Sequence, residues 1–245
     1  MLHVRFVGSG DAFGSGGRFQ TCIHLQTEDT TVLLDCGATS LTALKTQHLD
    51  PGAIDAVVLS HLHVDHFGGL PLLILDGQFS RRARPLTVAG PAGTARRLTE
   101  AMEVMFPGSS TVQRRFAVTV LELDPATPTT ISGVPLRSWP VEHGAQAGPS
   151  LAHRLTLGGK TVAYTGDTAW TDALIDLAAG TDLFIAEAYF WDKPLPNHLR
   201  HADLVDHADQ LSSDRTILTH MSTDMLAHAD RAAFELAHDG LSLTL

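Results

Sequence analysis

Four side chains able to bind a metal fall within six residues of this chain. His61, His63, Asp65 and His66 lie in the stretch Leu59–Pro71, LSHLHVDHFGGLP. Ala56–Leu59, just upstream, is apolar and β-branched and reads as a buried strand. Gly68, Gly69 and the apolar run Leu70–Leu75 follow and read as a turn into a helix. The cluster therefore sits where a strand ends and the backbone turns, so its side chains can converge on one point instead of alternating across a sheet. Imidazole nitrogens and a carboxylate suit zinc, manganese or iron. A zinc finger would need a second ligand pair at similar spacing, and Cys22 and Cys36 are not placed to supply one.

H-x-H-x-D-H after an apolar strand resembles the metallo-β-lactamase superfamily of binuclear metallohydrolases. The resemblance implies an α/β fold, a four-layer αββα sandwich with its metals at one edge of two packed sheets. It also demands three later ligands at later strand ends. His143 follows the strand-like Pro135–Glu142, Asp167 follows Thr161–Thr165 in TVAYTGDT, and His220 follows Thr216–Thr219 in TILTHMS. By the family pattern His61, His63 and His143 would hold one ion. Asp65, His66 and His220 would hold the other, with Asp167 bridging and Asp65 also counted as catalytic. Two divalent ions (zinc first, manganese or iron as alternatives) polarise a substrate oxygen and hold a hydroxide for attack, so no serine or cysteine nucleophile is needed.

Asp167 stands where many antibiotic-cleaving relatives carry cysteine, and His63 where the diiron oxygen reductases carry glutamate; neither activity is favoured. VEHGAQAGPSLAHRL around His143 lacks the threonine- and glycine-rich surroundings of glyoxalase II. It is similar instead to the branch of ribonuclease Z and the phosphoribosyl cyclic phosphodiesterases, as are the opening GSGDAFGSGGR and the LTHMS near the end. That branch implies one more histidine serving the reacting phosphate. His201 in NHLRHADL is the better match and His198 its rival. The expected activity is hydrolysis of a small nucleotide-like or cyclic phosphodiester. The alternatives are a lactonase or thioesterase, a 3′-tRNA endonuclease, and a non-catalytic metal- or cofactor-binding relative. Nucleic acid is not the expected partner. Bacterial ribonuclease Z carries a long inserted arm between the ligands matching His143 and Asp167, where this chain has only Gly144–Gly166 with a tight LGGK turn. Its 17 basic against 27 acidic residues also suit a polyanion poorly. Arg81, Arg82, Arg84, Arg96, Arg97, Arg114 and Arg115 are the candidates for any basic face.

The elements that must position these groups follow from the rest of the 245 residues, 44% of them hydrophobic, which predict one domain over 1–245. Leu2–Val7 reads as the first strand, too short and polar for a signal peptide. No run approaches a membrane span, and two free cysteines fit a reducing compartment, so a soluble cytoplasmic protein is expected. Gly8–Gly17 reads as a loop bordering the metal groove. Thr21–Gln26 and Thr31–Asp35 read as paired strands, and Asp35 as either a carboxylate that orients a ligand histidine or a turn aspartate. Helices are predicted over Ser40–His48, Pro91–Met105, Thr171–Ala179, Asp203–Leu211 and Asp224–His238, and strands over Phe116–Leu123, Asp182–Ala186 and Leu241–Leu245. Arg81, Arg82 and Arg84 read first as a solvated face. Of the adjacent Tyr189, Phe190 and Trp191, at least one should line the groove or a subunit contact, leaving room for a homodimer. VVLSH and TILTH suggest an internal repeat.

Overall fold

The computed structural model describes residues 1–144 and 148–245. Three residues of the AQA segment beside His143 lie outside the described residues.

Among the described residues, fourteen strands form two seven-stranded sheets, in the orders β14-β1-β2-β3-β4-β5-β6 and β13-β12-β11-β10-β9-β8-β7. In the first sheet β1 (His3–Gly8), β2 (Cys22–Gln26) and β3 (Thr31–Leu34) form an antiparallel meander, with β14 (Ser242–Thr244) on the outer edge. From β3 onward, β4 (Ala56–Val58), β5 (Leu86–Gly90) and β6 (Val118–Glu122) are parallel. The second sheet repeats this plan. β7 (Thr129–Ile131), β8 (Val134–Val141), β9 (Ser150–Leu157) and β10 (Lys160–Tyr164) are antiparallel. β11 (Leu183–Glu187), β12 (Thr216–Thr219) and β13 (Glu235–Leu236) then run parallel to β10. In this plan β3 corresponds to β10 and β4 to β11, so the repeat suggested by VVLSH and TILTH does not follow strand order.

Side-chain alternation explains why the strands read as unbroken apolar runs. Val32, Leu34 and Val58 point into a core shared with Leu155, Val162 and Ile185 of the other sheet. Leu33, Val57 and Leu59 point outward, under α1 (Ser40–Thr46), α3 (Leu70–Phe79) and α4 (Thr94–Met105). Ala163, Phe184 and Leu218 pack outward under α5 (Ala173–Ala178), α6 (His201–Asp206) and α7 (Thr223–Leu226). The layers are thus helix, sheet, sheet, helix. No helix among the described residues is long and apolar enough to cross a membrane.

Two expectations are corrected. Asp224–His238 is not one helix. Only Thr223–Leu226 is α-helical, and Glu235–Leu236 joins the sheet, with the Ala237 amide donating to Leu218 O at 2.8 Å. Completing the parallel edge overrides the helix propensity of the alanines. Arg82 is buried rather than solvated: its guanidinium donates to the carbonyls of Pro51, Ile54, Arg84 and Pro85 and ties the α3–β5 loop to the chain before β4.

Candidate metal centre

The residues singled out for metal binding meet at one edge of the sandwich. Beyond β4, His61 precedes His63, whose extended backbone leads into the one-turn helix α2 (Val64–Phe67) that carries Asp65 and His66. His143 follows β8, Asp167 follows β10 and His220 follows β12. Gly166 makes the turn into Asp167 at φ +59, and a Cβ there would meet Ser60 Cβ at 2.6 Å, so only glycine fits. His220 itself adopts φ +57, a costly conformation for a non-glycine residue. Its amide donates to Ser9 O at 3.1 Å, which places the Gly8–Gly17 loop at the site.

Two groups of side chains face each other. His61 Nε2 lies 3.0 Å and His143 Nε2 3.1 Å from His63 Nδ1. His220 Nε2 lies 3.2 Å from His66 Nε2 and 3.1 Å from Asp65 Oδ2. The Asp167 carboxylate stands between them: Oδ1 is 3.3 Å from His66 Nε2, while Oδ2 is 3.5 Å from His220 Nε2 and 3.7 Å from His143 Nε2.

Partners behind the rings fix three tautomers. His66 Nδ1–H donates to Asp35 Oδ2 at 2.7 Å, and His143 Nδ1–H donates to Asn197 O at 2.9 Å. Ser60 Oγ gives its proton to Asp35 Oδ2 (2.8 Å) and so accepts from His61 Nδ1–H (3.1 Å). The Nε2 lone pairs of His61, His66 and His143 therefore all point inward, at other lone pairs and at carboxylates. Asp167 Oδ1 is buried without a hydrogen-bond partner among the described residues. Converging lone pairs around an unpartnered carboxylate oxygen call for a cation, so these residues fit divalent metal ions.

The electrostatics agree. Burial, and then His66, push His61 well below its ordinary pKa, and burial lowers His63 and His143 too, which leaves neutral imidazoles. Burial disfavours the charge on Asp167, but His220 and His66 outweigh it and hold the carboxyl well below the usual range. Burial would also lower His66, yet Asp167, Asp65 and Asp35 raise it well above its ordinary value, so that without a cation a proton takes the inward Nε2 lone pair. The centre requires positive charge.

Asp35 proves to be the carboxylate behind a candidate ligand. Wholly buried, it also accepts from Ser60 N (2.7 Å) and Tyr164 OH (2.7 Å). The histidine brought to the cluster from the later loop is His198, not His201. His198 Nδ1–H donates to Glu187 Oε2 at 2.9 Å, and the same nitrogen is 3.9 Å from Asp167 Oδ2. His201 faces away: its ring stacks on Trp191 at 4.1 Å and its Nε2 accepts from Ala233 N at 3.0 Å. A bridge between Phe190 and Arg200 closes the loop and puts the two histidines on opposite sides. Of the adjacent aromatics, Tyr189 borders the site, its ring centroid 4.9 Å from that of His198.

Sequence reasoning missed Glu187. It is fully buried, accepts from Thr168 N and Leu199 N, and holds His198. Its signal was present: LFIAE is an apolar strand ending in an acid, as TVLLD is at Asp35. Burial disfavours the His198 charge, but the Glu187 carboxylate and its hydrogen bond raise the pKa to about 9.

Residues 2–239 match the family described as Anti-Pycsar protein Apyc1. Ribonuclease Z of Methanosarcina acetivorans is 24% identical over an alignment covering 91% of this chain and 88% of its own. The metallo-beta-lactamase fold protein YhfI from Bacillus subtilis superposes with a TM-score of 0.79 at 20% identity, covering all of both chains. A diphosphatase from the PhnP family does so with a TM-score of 0.79 at 22% identity, covering 100% of this chain and 98% of its own. The sandwich is thus the metallo-β-lactamase fold.

Proposed function

This chain belongs to the Anti-Pycsar protein Apyc1 family and is a metal-dependent hydrolase, and from that premise we propose that it is a phosphodiesterase acting on a small nucleotide-like or cyclic phosphate. The observation that carries the reading is a seven-residue cation cradle with His198 beside it, its Nδ1 2.9 Å from the buried Glu187 carboxylate. His61, His63 and His143 would hold one divalent ion, zinc by preference for their donor set. Asp65, His66 and His220 would hold the second, with Asp167 shared. Bound there, the ions supply Lewis-acid activation of water and of a phosphoryl oxygen.

The chain's own side chains supply the rest. Asp35, Ser60 and Asn197 fix the imidazoles before substrate arrives. Asp65, anionic between His66 and His220, is placed to accept a proton from the attacking water. His198, charged through Glu187, is placed to give its Nε2 proton to the departing alkoxide, the step a phosphodiester needs and a thioester does not.

A small substrate is favoured over RNA because most of the arginines that would make a basic face are engaged within the chain. Arg82 is spent on four carbonyls, Arg84 pairs with Asp55, Arg96 and Arg97 with Glu100, and Arg114 donates to Ser109 and Ser110. Between His143 and Asp167 the described chain holds only the β9–β10 hairpin, turned by Gly158 and Gly159. The test is side-by-side assay of the metal-loaded protein on cyclic nucleotides, linear phosphodiesters, a lactone, a thioester and a precursor transfer RNA. Cleavage of the small phosphodiesters is expected. Preference for the lactone or thioester would overturn the reading, and efficient removal of the 3′ trailer would reassign it to RNA.

A further inference from the structure

On the outer face of the first sheet, at its β14–β1–β2 edge, opens a pocket of about 470 Å³, inside the range of about 300–1,000 Å³ typical of small-molecule sites. No residue proposed above to bind metal lines it. The register sets Arg5 between His24 of β2 and Ser242 of β14, and His3 between Gln26 and Thr244. Alternation turns Val4, Leu25 and Leu243 into the core, so these six side chains share the outward face. Each carries an N–H or O–H donor, and no carboxylate lines the pocket. His24 is only 5% exposed, and neither ring nitrogen has a hydrogen-bond partner among the described residues. Its ring lines the pocket, and its nitrogens are not sealed from solvent. Arg5 stands directly opposite, in the arrangement where like charges destabilise a sheet. Arg5 Nε donates to Ser242 Oγ at 2.8 Å and one NH2 group to Gln47 O at 3.5 Å; the other NH2 group has no partner among the described residues. Burial and Arg5 hold His24 down to about 4, with no carboxylate to offset them.

We infer that this pocket is a second ligand site that binds a small organic phosphate, its phosphoryl oxygens accepting from the Arg5 guanidinium and the His24 ring. An anion between these two groups supplies the counter-charge that the lining lacks and satisfies the buried imidazole. A neutral sugar would leave the guanidinium without counter-charge. A carboxylate brings one charge and two oxygens to a field of donors on six residues. A phosphoryl group brings three oxygens and up to two charges, and the planar guanidinium fork matches it. Inorganic phosphate would fill only part of the volume. The rest is edged by Gln26 and Thr244, which suit hydroxyls, and by Leu49, which gives an apolar wall. The site is independent of the reaction proposed above.

The metal-loaded protein is titrated with ribose 5-phosphate, inorganic phosphate and succinate. Nitrogen-15 NMR follows the Arg5 Nε–H and His24 ring signals, each identified by its loss in Arg5→Gln or His24→Gln. These signals separate the pocket from any phosphate taken up at the metal centre, and in wild-type protein they need no variant to fold. Both should shift saturably with ribose 5-phosphate, at higher concentration with inorganic phosphate, and not with succinate. By calorimetry Arg5→Gln should weaken ribose 5-phosphate at this site at least tenfold, as loss of a charge-assisted bond predicts, and His24→Gln roughly three- to tenfold. Both variants should keep the metal content of wild type. Wild-type signals that stay unmoved, or affinities unchanged in both variants, would overturn the site. An equal response to succinate would overturn the choice of phosphate, and equal affinity for inorganic phosphate would overturn the organic part. Each result reads the same whether or not the protein cleaves a phosphodiester, so failure here leaves that reading standing.

Discussion

Replacing Asp35 by asparagine separates orientation of a candidate metal-binding histidine from the fold around it. The carboxylate takes four protons in a fully buried site: Ser60 N on Oδ1, and Ser60 Oγ, His66 Nδ1 and Tyr164 OH on Oδ2, all at 2.7–2.8 Å. Alanine would strand four donors at about 1–3 kcal/mol each, a loss comparable to the roughly 5–15 kcal/mol of a whole domain. Asparagine is the usable change, because it tolerates the φ of +59 at this position. Its carbonyl oxygen can replace Oδ2 and keep three bonds, while its NH2 meets the Ser60 N–H donor to donor. One bond is lost and three lose their charge assistance, a cost of about 2–4 kcal/mol. At roughly 2–4 °C per kcal/mol for a chain of this size, the metal-free protein should melt about 4–16 °C lower. The ion at Asp65, His66 and His220 should bind about 10–100-fold more weakly, the usual effect of losing such a partner. Chelator-competition titration resolves the two affinities, and scanning calorimetry without metal gives the fold term. Two unchanged affinities with an unchanged Tm would refute this reasoning. So would a loss confined to the ion at His61, His63 and His143.

Elemental analysis of protein kept from chelators should find close to two transition-metal ions per chain, and His63→Ala should lose metal and activity together; full activity there would remove the basis for the centre. His198→Ala should retain both ions yet turn over a poor leaving group about 10²–10⁴-fold more slowly, whereas His201→Ala should cost stability through its lost stack on Trp191; the reverse pattern would return the proton to His201. His24, 5% exposed in β2, is held down to about 4 by burial and by Arg5. Between that value and the ordinary pKa of about 6.5 the unfolded chain binds the proton and the folded chain does not. Stability from this group is therefore complete above about 6.5 and falls by about 2 kcal/mol between pH 7 and pH 5. Urea unfolding of His24→Gln at both pH values should show a smaller acid loss than wild type, and equal losses would exclude His24 as a cause.

What the sequence made legible is what depends on one element at a time. β3 and β4 lie between two cores, so TVLL and AVV read as buried strands. A histidine or aspartate directly after such a run reads as a strand-end group, which placed His61, Asp167 and His220. Contacts settled by another part of the chain stayed hidden. Glu235 and Leu236 sit in an alanine-rich run that says helix, and only pairing with Ile217 and Leu218 makes a strand of them. His198 and His201 are three residues apart in a proline-containing loop, and nothing local tells which faces the candidate centre. The bridge from Phe190 to Arg200 and the buried carboxylate of Glu187 decide it.

The position of the centre follows from the shared plan of the two sheets. Each sheet changes from antiparallel to parallel at one strand, β3 in the first and β10 in the second. Carboxyl ends of parallel strands are where an open α/β sheet leaves room for a ligand, because the chain there departs into crossovers. Packing the sheets face to face brings two such ends together. β3 and β4 deliver Asp35, His61 and His63, while β10, β11 and β12 deliver Asp167, Glu187 and His220. Equivalent strands then serve unequal roles. Asp35 after β3 is sealed behind His66 by four donors and can only orient it, whereas Asp167 after β10 keeps an oxygen unpartnered among the described residues, facing the imidazoles. Turn geometry makes that difference. Asp35 occupies the left-handed turn itself, at φ +59, which directs its carboxylate back to Ser60 and Tyr164. In the second sheet Gly166 takes the left-handed position against Ser60, and the aspartate one residue later reaches past it into the centre. Moving the positive φ by one residue turns a supporting carboxylate into one that faces the candidate centre.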